Sequence, residues 1–329
     1  MAVPTTAPGS TTAPSAPPRA RKGKLPSFER VIFFALFLGL PLLIYVVFVV
    51  SPFLQAFYYS LTDWRGVSSN QDFIGLSNYQ KLAADPVFIK ALVHNLILMI
   101  VLPLVTITLA YTLAVLVTIG GDSRGEIRGI SGANIYRVVS FFPYVIPAVV
   151  TGILFAFIYS PNGGLLNGFL SLVLRPFGTS ISIGWLGDPR FAMIAILVAV
   201  VWSLVGFYMV LFVAAIKAVP AEVLEAARLD GAGRFRIAVQ VVLPMVRENV
   251  STALVYMGIM ALDMFVYVSV MTPNGGTGKS TEVVSRYLYE TAFQKSNFGL
   301  ASAMGVVMAL VTMVMAVVVL LATRQKKDA

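Results

Sequence analysis

Six predominantly apolar runs, each long enough to cross a bilayer, constrain this chain more than any other feature. They lie at Val31–Leu54, Leu92–Ile119, Val138–Tyr159, Phe191–Ile216, Val250–Met271 and Leu300–Ala322. A hydrocarbon core takes about 20 apolar residues of helix. Only helices and closed barrels satisfy every backbone N–H and C=O group in lipid, and barrel strands read as short alternating segments. Continuous runs of Val, Leu, Ile, Phe and Ala therefore predict an all-α, polytopic membrane protein with six transmembrane helices. Charge density agrees, since 12% of residues are charged, about half the share in soluble domains.

The composition also excludes several chemistries. The chain has no cysteine, so disulfides, zinc–thiolate sites, iron–sulfur clusters and a thiol nucleophile are ruled out. One histidine, His94, does not build a multi-histidine metal site or a catalytic triad, and no metal site is expected. The net charge of +9 needs no nucleic-acid partner, because cationic loops set membrane topology.

Sixteen of the 24 Lys and Arg residues fall on one side of the predicted membrane. They occupy the N-terminal tail, the second-to-third connection (Arg124, Arg128, Arg137), the fourth-to-fifth connection (Lys217, Arg228, Arg234, Arg236, Arg247) and the C-terminal tail. The positive-inside rule places that side, and both termini, in the cytoplasm. The expected organisation is a disordered, Ala/Pro/Thr-rich cytoplasmic tail over residues 1–27, a membrane domain over 28–323 and a short cytoplasmic tail over 324–329. No cleaved signal is expected, because the first apolar run is too long for a signal core.

Several features invite a functional reading. Pro41, Pro103, Pro143 and Pro147 fall inside spans and are expected to kink them. Asp263 is the one acid placed well inside a span; an ionisable group in lipid is a functional candidate, with a structural hydrogen bond as the competing role. His94 is expected to pack rather than relay protons, since no acid lies near it in sequence. Tyr58, Tyr59 and Trp64 suit an interfacial belt. Leu165, Leu166, Phe169, Leu172 and Val173 have helical spacing on a stretch too short to span. Gly275–Ser280 reads GGTGKS, but it lacks the first glycine and the strand–loop–helix context of a phosphate-binding loop, so nucleotide binding is not expected there.

The segment from about 217 to 249 is the most informative. Pro220 can open a helix, Glu222 and Glu225 suit its N-terminal half, and Ala226 and Ala227 are strong helix formers. Val223, Leu224 and Ala227 are expected to pack one face, with Gly231 ending the helix. A second amphipathic stretch runs from Phe235 to Val242 and returns to the membrane at Leu243-Pro244. Two short helices meeting at a glycine bend make a rigid knob that can seat in a partner's groove.

These residues carry a resemblance. Glu225-Ala226-Ala227, three residues, Gly231, nine residues, Val241 and then Leu243-Pro244 resemble the EAA loop of ABC importer permeases, with Val241 in place of the usual isoleucine. Asp230-Gly231-Ala232, Ser60–Trp64, Gly75–Tyr79, Asp85-Pro86 and Phe298–Ala303 look like the carbohydrate branch, of the maltose-permease-F or glycerol-phosphate-permease-A type. The resemblance covers roughly Phe28 to Ala322. Val266 and Pro273–Gly276 depart from the family pattern.

The resemblance implies a type I ABC importer permease fold in the plasma membrane and a transport subunit rather than an enzyme. It implies a second permease subunit as partner, two copies of a cytoplasmic ATPase and an extracytoplasmic substrate-binding protein. ATP and Mg would be used by the ATPase, with no cofactor bound by this chain. Glu222, Glu225, Ala226, Ala227, Asp230, Gly231, Ala232, Leu243 and Pro244 would form the coupling segment that fits the ATPase. A neutral sugar needs stacking surfaces and hydrogen-bonding groups. The candidates along the pathway are Asn95, Tyr208, Asp263 and Tyr267, with Trp202 and Phe265 as stacking surfaces. Two other readings are an ABC permease for a non-sugar solute and a stand-alone secondary transporter; the latter would show inverted repeats and coupling-ion residues.

Overall fold

The computed structural model describes residues 28–67, 71–120, 129–177 and 182–323. Both tails, with Arg124 and Arg128, lie outside them. Residues through Leu54 and residues from Gln55 onward form two separate units, and the elements that build the site lie in the second. Four helices are long and apolar enough to cross a membrane: Ile32–Ser60, Pro86–Ile119, Ala192–Lys217 and Phe298–Leu321. Two further spans are broken pairs, Ala133–Val145 with Ala148–Ile158 and Arg247–Leu262 with Phe265–Met271. The described residues thus give the six spans expected, and no strand beyond one isolated bridge between Thr62 and Phe73.

The breaks are sharper than kinks. The third span turns by 99° between Val145 and Ala148. Ile146 is extended there (ψ 128°) and Pro147 caps the second half (φ −56°, ψ 140°). A proline pushes the residue before it out of the helical region, so Pro147 breaks the span. Pro143 and Pro103 stay inside continuous helices. The fifth span bends by 45° between Leu262 and Phe265, where Asp263 has left helical geometry (φ −103°, ψ 66°). The second span starts earlier than its apolar run. Pro86 is its first residue, and the Asp85 carboxylate accepts the Val87 and Phe88 N–H groups at 2.8 and 3.3 Å.

The second, fourth and fifth spans share one core. Leu98, Leu102, Ala110 and Ala114 of the second meet Ala195, Ala199, Met209 and Phe212 of the fourth and Met257 of the fifth. In lipid, burial from water no longer drives helix association, and close packing of small side chains takes over. Gly206 shows the effect: a Cβ there would fall 1.7 Å from the Ser140 carbonyl oxygen of the third span.

The three connections expected outside meet at one end. Lys90 Nζ donates to the Gly278 carbonyl at 2.8 Å, Tyr287 donates to Asp85 at 2.6 Å, and the Gly299 N–H donates to the Trp64 carbonyl at 2.9 Å. Thr277 Oγ1 reaches the Gly187 carbonyl at 2.9 Å. In the first connection, buried Asn78 donates to the Ser60 and Thr62 carbonyls, both at 2.9 Å. Tyr59 stacks on Trp64 with centroids 4.2 Å apart, and Tyr58 is exposed. The helix Leu165–Leu174 exposes Leu165, Phe169, Leu172 and Val173 and anchors through buried Asn167, which accepts from Trp185 Nε1 at 2.9 Å.

Candidate functional site

Two regions have the geometry of function. The first is the segment expected to couple, between the fourth and fifth spans. Its helix is Ala221–Leu229, capped by Pro220, with Glu222 in the first turn and Arg228 in the last. The end is a Schellman motif: Ala232 N–H bonds the Ala227 carbonyl at 3.0 Å, and Gly231 N–H bonds the Arg228 carbonyl at 2.9 Å. Gly231 takes φ +79°, which glycine adopts without Cβ strain. Leu224 is buried with Val219, Ile237, Ala238 and Val242, and Ala227 and Ala232 pack beside them. Val223 departs from the expected packing face and is exposed, because the helix offers a single buried row to the turn from Ile237 to Val242. Glu222, Glu225, Ala226, Asp230 and Pro244 are exposed, and Leu243 is half-buried. The result is a helix fastened on one side and presenting acids and alanines on the other.

The second region is a cavity of about 470 Å³ at which both helix breaks open. It is lined by Tyr144–Ala148 at the third-span break and by Asp263, Met264, Val266 and Tyr267 at the fifth-span break. Leu102, Val200, Ser203 and Leu204 complete the wall. Ser203 is buried and donates its only hydroxyl proton to the Val200 carbonyl at 2.8 Å. Tyr267, 3.0 Å from that oxygen, therefore donates to it and keeps its lone pairs free for an incoming hydroxyl. Tyr144 stacks on Phe207 with centroids 4.6 Å apart. Phenolic oxygens and a carboxylate against an apolar wall can orient a polyhydroxylated solute without a full charge of opposite sign.

Of the residues expected along the pathway, Asp263 and Tyr267 line this cavity. The other four are placed elsewhere. Trp202 lies edge-on to Phe155 at 5.3 Å, Phe265 against Tyr289 at 5.1 Å, and buried Tyr208 against Phe207 at 5.2 Å. Asn95 has no exposed surface, and its amide is spent on backbone: it donates to the Ala261 and Leu262 carbonyls at 3.4 and 3.2 Å and accepts from Val284 N–H at 2.8 Å. That placement corrects a solute-contact role in this conformation. Tyr144 and Ser203 carry no signal in the sequence, because each is a lone polar group in a predominantly apolar span; the fold places both at one cavity.

The outer end holds a buried ion cluster. Glu282 is fully buried and paired with Arg286 through two hydrogen bonds, with Lys279 Nζ 3.1 Å away. Arg286 also reaches Glu290 at 2.7 Å, and Lys295 reaches it at 2.9 Å. Burial works against the Glu290 charge, but the Lys295 and Arg286 hydrogen bonds and the nearby Lys279 outweigh it and hold the carboxyl at about 2. The glycine-rich run explains itself here. A Cβ on Gly275 would lie 2.3 Å from the Glu282 carboxylate and one on Gly276 2.7 Å from Thr281 Oγ1, so Gly275 makes room for an internal acid, and that acid engages Lys279.

Six apolar spans, an EAA-type loop and, in the second unit, a cavity between broken helices define a membrane permease of the type I importer class. Residues 126–326 match the family model of the binding-protein-dependent transport system inner membrane component. The chain is 52% identical over 93% of its length to the diacetylchitobiose uptake system permease protein NgcF of Streptomyces coelicolor, 86% of which is covered. It is 31% identical over 80% of its length to the sn-glycerol-3-phosphate transport system permease protein UgpA of Agrobacterium fabrum, 85% of which is covered. Its fold matches a crystal structure of a bacterial ABC transporter involved in alginate import, with a TM-score of 0.77, 20% identity and coverage of 91% and 97% of the two chains. The protein belongs to the family of binding-protein-dependent transport inner membrane components and is a permease subunit, not an enzyme.

Proposed function

We propose that this chain forms half of the translocation pathway of an ATP-driven, binding-protein-dependent importer of a di- or oligosaccharide. The observation that carries the sugar reading is the cavity at the two breaks, with the Tyr267 and Tyr144 phenols, Ser203 and Asp263 on an apolar wall. The diacetylchitobiose permease at 52% identity makes an amino-sugar disaccharide the first substrate to test. In this reading the other half is a second permease subunit. Two ATPase copies, using ATP and Mg, engage the segment from Glu222 to Ala232 with Leu243-Pro244 behind it. A binding protein docks at the end where the first, third and fifth connections meet, and both termini face the cytoplasm. Partner-driven switching between two packed arrangements moves the cavity from one side to the other.

The test is uptake of radiolabelled diacetylchitobiose by proteoliposomes holding the purified complex and its binding protein. ATP-dependent uptake, competed by unlabelled disaccharide and not by sn-glycerol-3-phosphate, is expected. No uptake of the disaccharide, with ATP-dependent uptake of labelled sn-glycerol-3-phosphate instead, would replace the sugar reading with that of a non-sugar permease.

A further inference from the structure

We propose that Asn95 is a positioning residue that ties the outer loop to the break carrying Asp263, so that a load on the loop shifts the cavity wall; the role of that load rests on the function proposed above. A helix leaves its last carbonyls and first N–H groups without internal partners. The fifth span ends at Leu262, and Asn95 donates both amide protons to the Ala261 and Leu262 carbonyls. The outer-loop helix Val284–Tyr289 begins at Val284, whose N–H donates to Asn95 Oδ1. One side chain thus completes the end of one helix and the start of another, 189 residues from Asn95 in sequence. Its neighbour His94 bonds the Glu282 carbonyl at 2.8 Å through Nδ1, which must carry the proton to meet a carbonyl oxygen. Glu282 is locked to Arg286 and Lys279, so the loop between Lys279 and Glu290 moves as one body. Asp263 follows Leu262 directly, so movement of that body along the Asn95 link displaces the carboxylate in the cavity. A merely structural asparagine would be needed for assembly alone. A positioning residue is also read in the coupling.

The test cuts the link on the loop side. Val284 is the first helical residue, and Val283 is extended (φ −127°, ψ 152°), the conformation favoured before proline. Val284→Pro therefore fits the backbone, removes the N–H and puts Cδ against the place of Asn95 Oδ1, which severs the link and displaces the amide, whereas Val284→Ala removes packing and keeps the N–H. Two readouts are needed. In the reconstituted complex, stimulation of ATP hydrolysis by the co-purified binding protein loaded with diacetylchitobiose is expected to fall about fivefold or more in Val284→Pro. Basal hydrolysis and Val284→Ala should match wild type. In membranes, the chain has no cysteine, so Asp263→Cys gives it a single thiol. Labelling of that thiol by an impermeant maleimide is expected to change severalfold when Val284→Pro is added, and not with Val284→Ala. If Val284→Pro does not assemble, Asn95→Asp, which keeps the acceptor and loses both donors, is read the same way. Unchanged stimulation and labelling in the link-cutting variant, or equal losses in Val284→Pro and Val284→Ala, overturns the proposal. A wild-type complex that no binding protein stimulates defeats the importer reading instead, and the labelling rates still decide whether the link exists.

Discussion

Asp263 shows how much one residue's role depends on where its helix stops. In a straight span its carboxylate would face packed side chains; at the break it is exposed to the cavity beside Tyr267. A hydrogen bond to a charged group contributes about 1.5–3 kcal/mol. Asp263→Ala is therefore expected to raise the KM for uptake about tenfold or more while the ATPase still co-purifies; loss of the whole complex would make Asp263 structural. The ion cluster gives a second expectation. Removing Arg286 takes both of its hydrogen bonds from buried Glu282 and leaves Lys279 as its one counter-charge, at a cost of up to about 3–5 kcal/mol. Arg286→Met should leave the segment from Pro273 to Asn297 open to limited proteolysis. Glu290 adds a pH dependence. Its folded pKa of about 2 lies below its ordinary 4.5, so its contribution is complete above about 4.5 and is lost as pH falls toward 2. Proteolytic protection of the same segment should fall in that window, and protection constant down to pH 2 would show the cluster contributes nothing. Asp263 was legible as the one acid well inside a predicted span, whereas nothing in the order of residues marks Glu282 as buried.

At the scale of elements, the coupling helix was the most readable part. Pro220, the alanines and Gly231 marked its ends, and the hydrogen bonds place those ends where the residues predict. The space around Gly231 is empty, so a side chain there meets strain from the left-handed backbone rather than a clash. Gly231→Ala should cost about 1–2 kcal/mol locally and loosen the knob. Glu225→Lys keeps a good helix former on an exposed face, so its effect is on docking. Co-purification of the ATPase should drop by about an order of magnitude, with the permease itself folded. Equal recovery with wild type would remove Glu225 from the interface. The third span was less readable. Its residues from Val138 to Ile146 are mostly apolar, and the apolar run resumes after Pro147, and hydropathy carries no direction. Five prolines fall within predicted spans, and only the extended Ile146 distinguishes the one that turns its span by 99°.

Taken as a whole, the described chain has one end where three connections interlock and another where the coupling segment is fastened to the fourth and fifth spans. Charge counting groups the first, third and fifth connections together, as their contacts do; both tails of the other group lie outside the described residues. A detergent pull-down of the intact protein should bring an ATPase and a second six-span permease with it, in amounts reduced by Glu225→Lys; recovery of the chain alone would favour a stand-alone transporter. The interlocked end also sets a schedule for biosynthesis. Asp85 and Tyr287 are 202 residues apart, and His94 and Glu282 are 188 apart. A ribosome releases the second span long before it makes those partners. Until then the Asn95 side-chain carbonyl has no Val284 N–H to meet. Closure of the outer cap thus waits until synthesis has passed Tyr287.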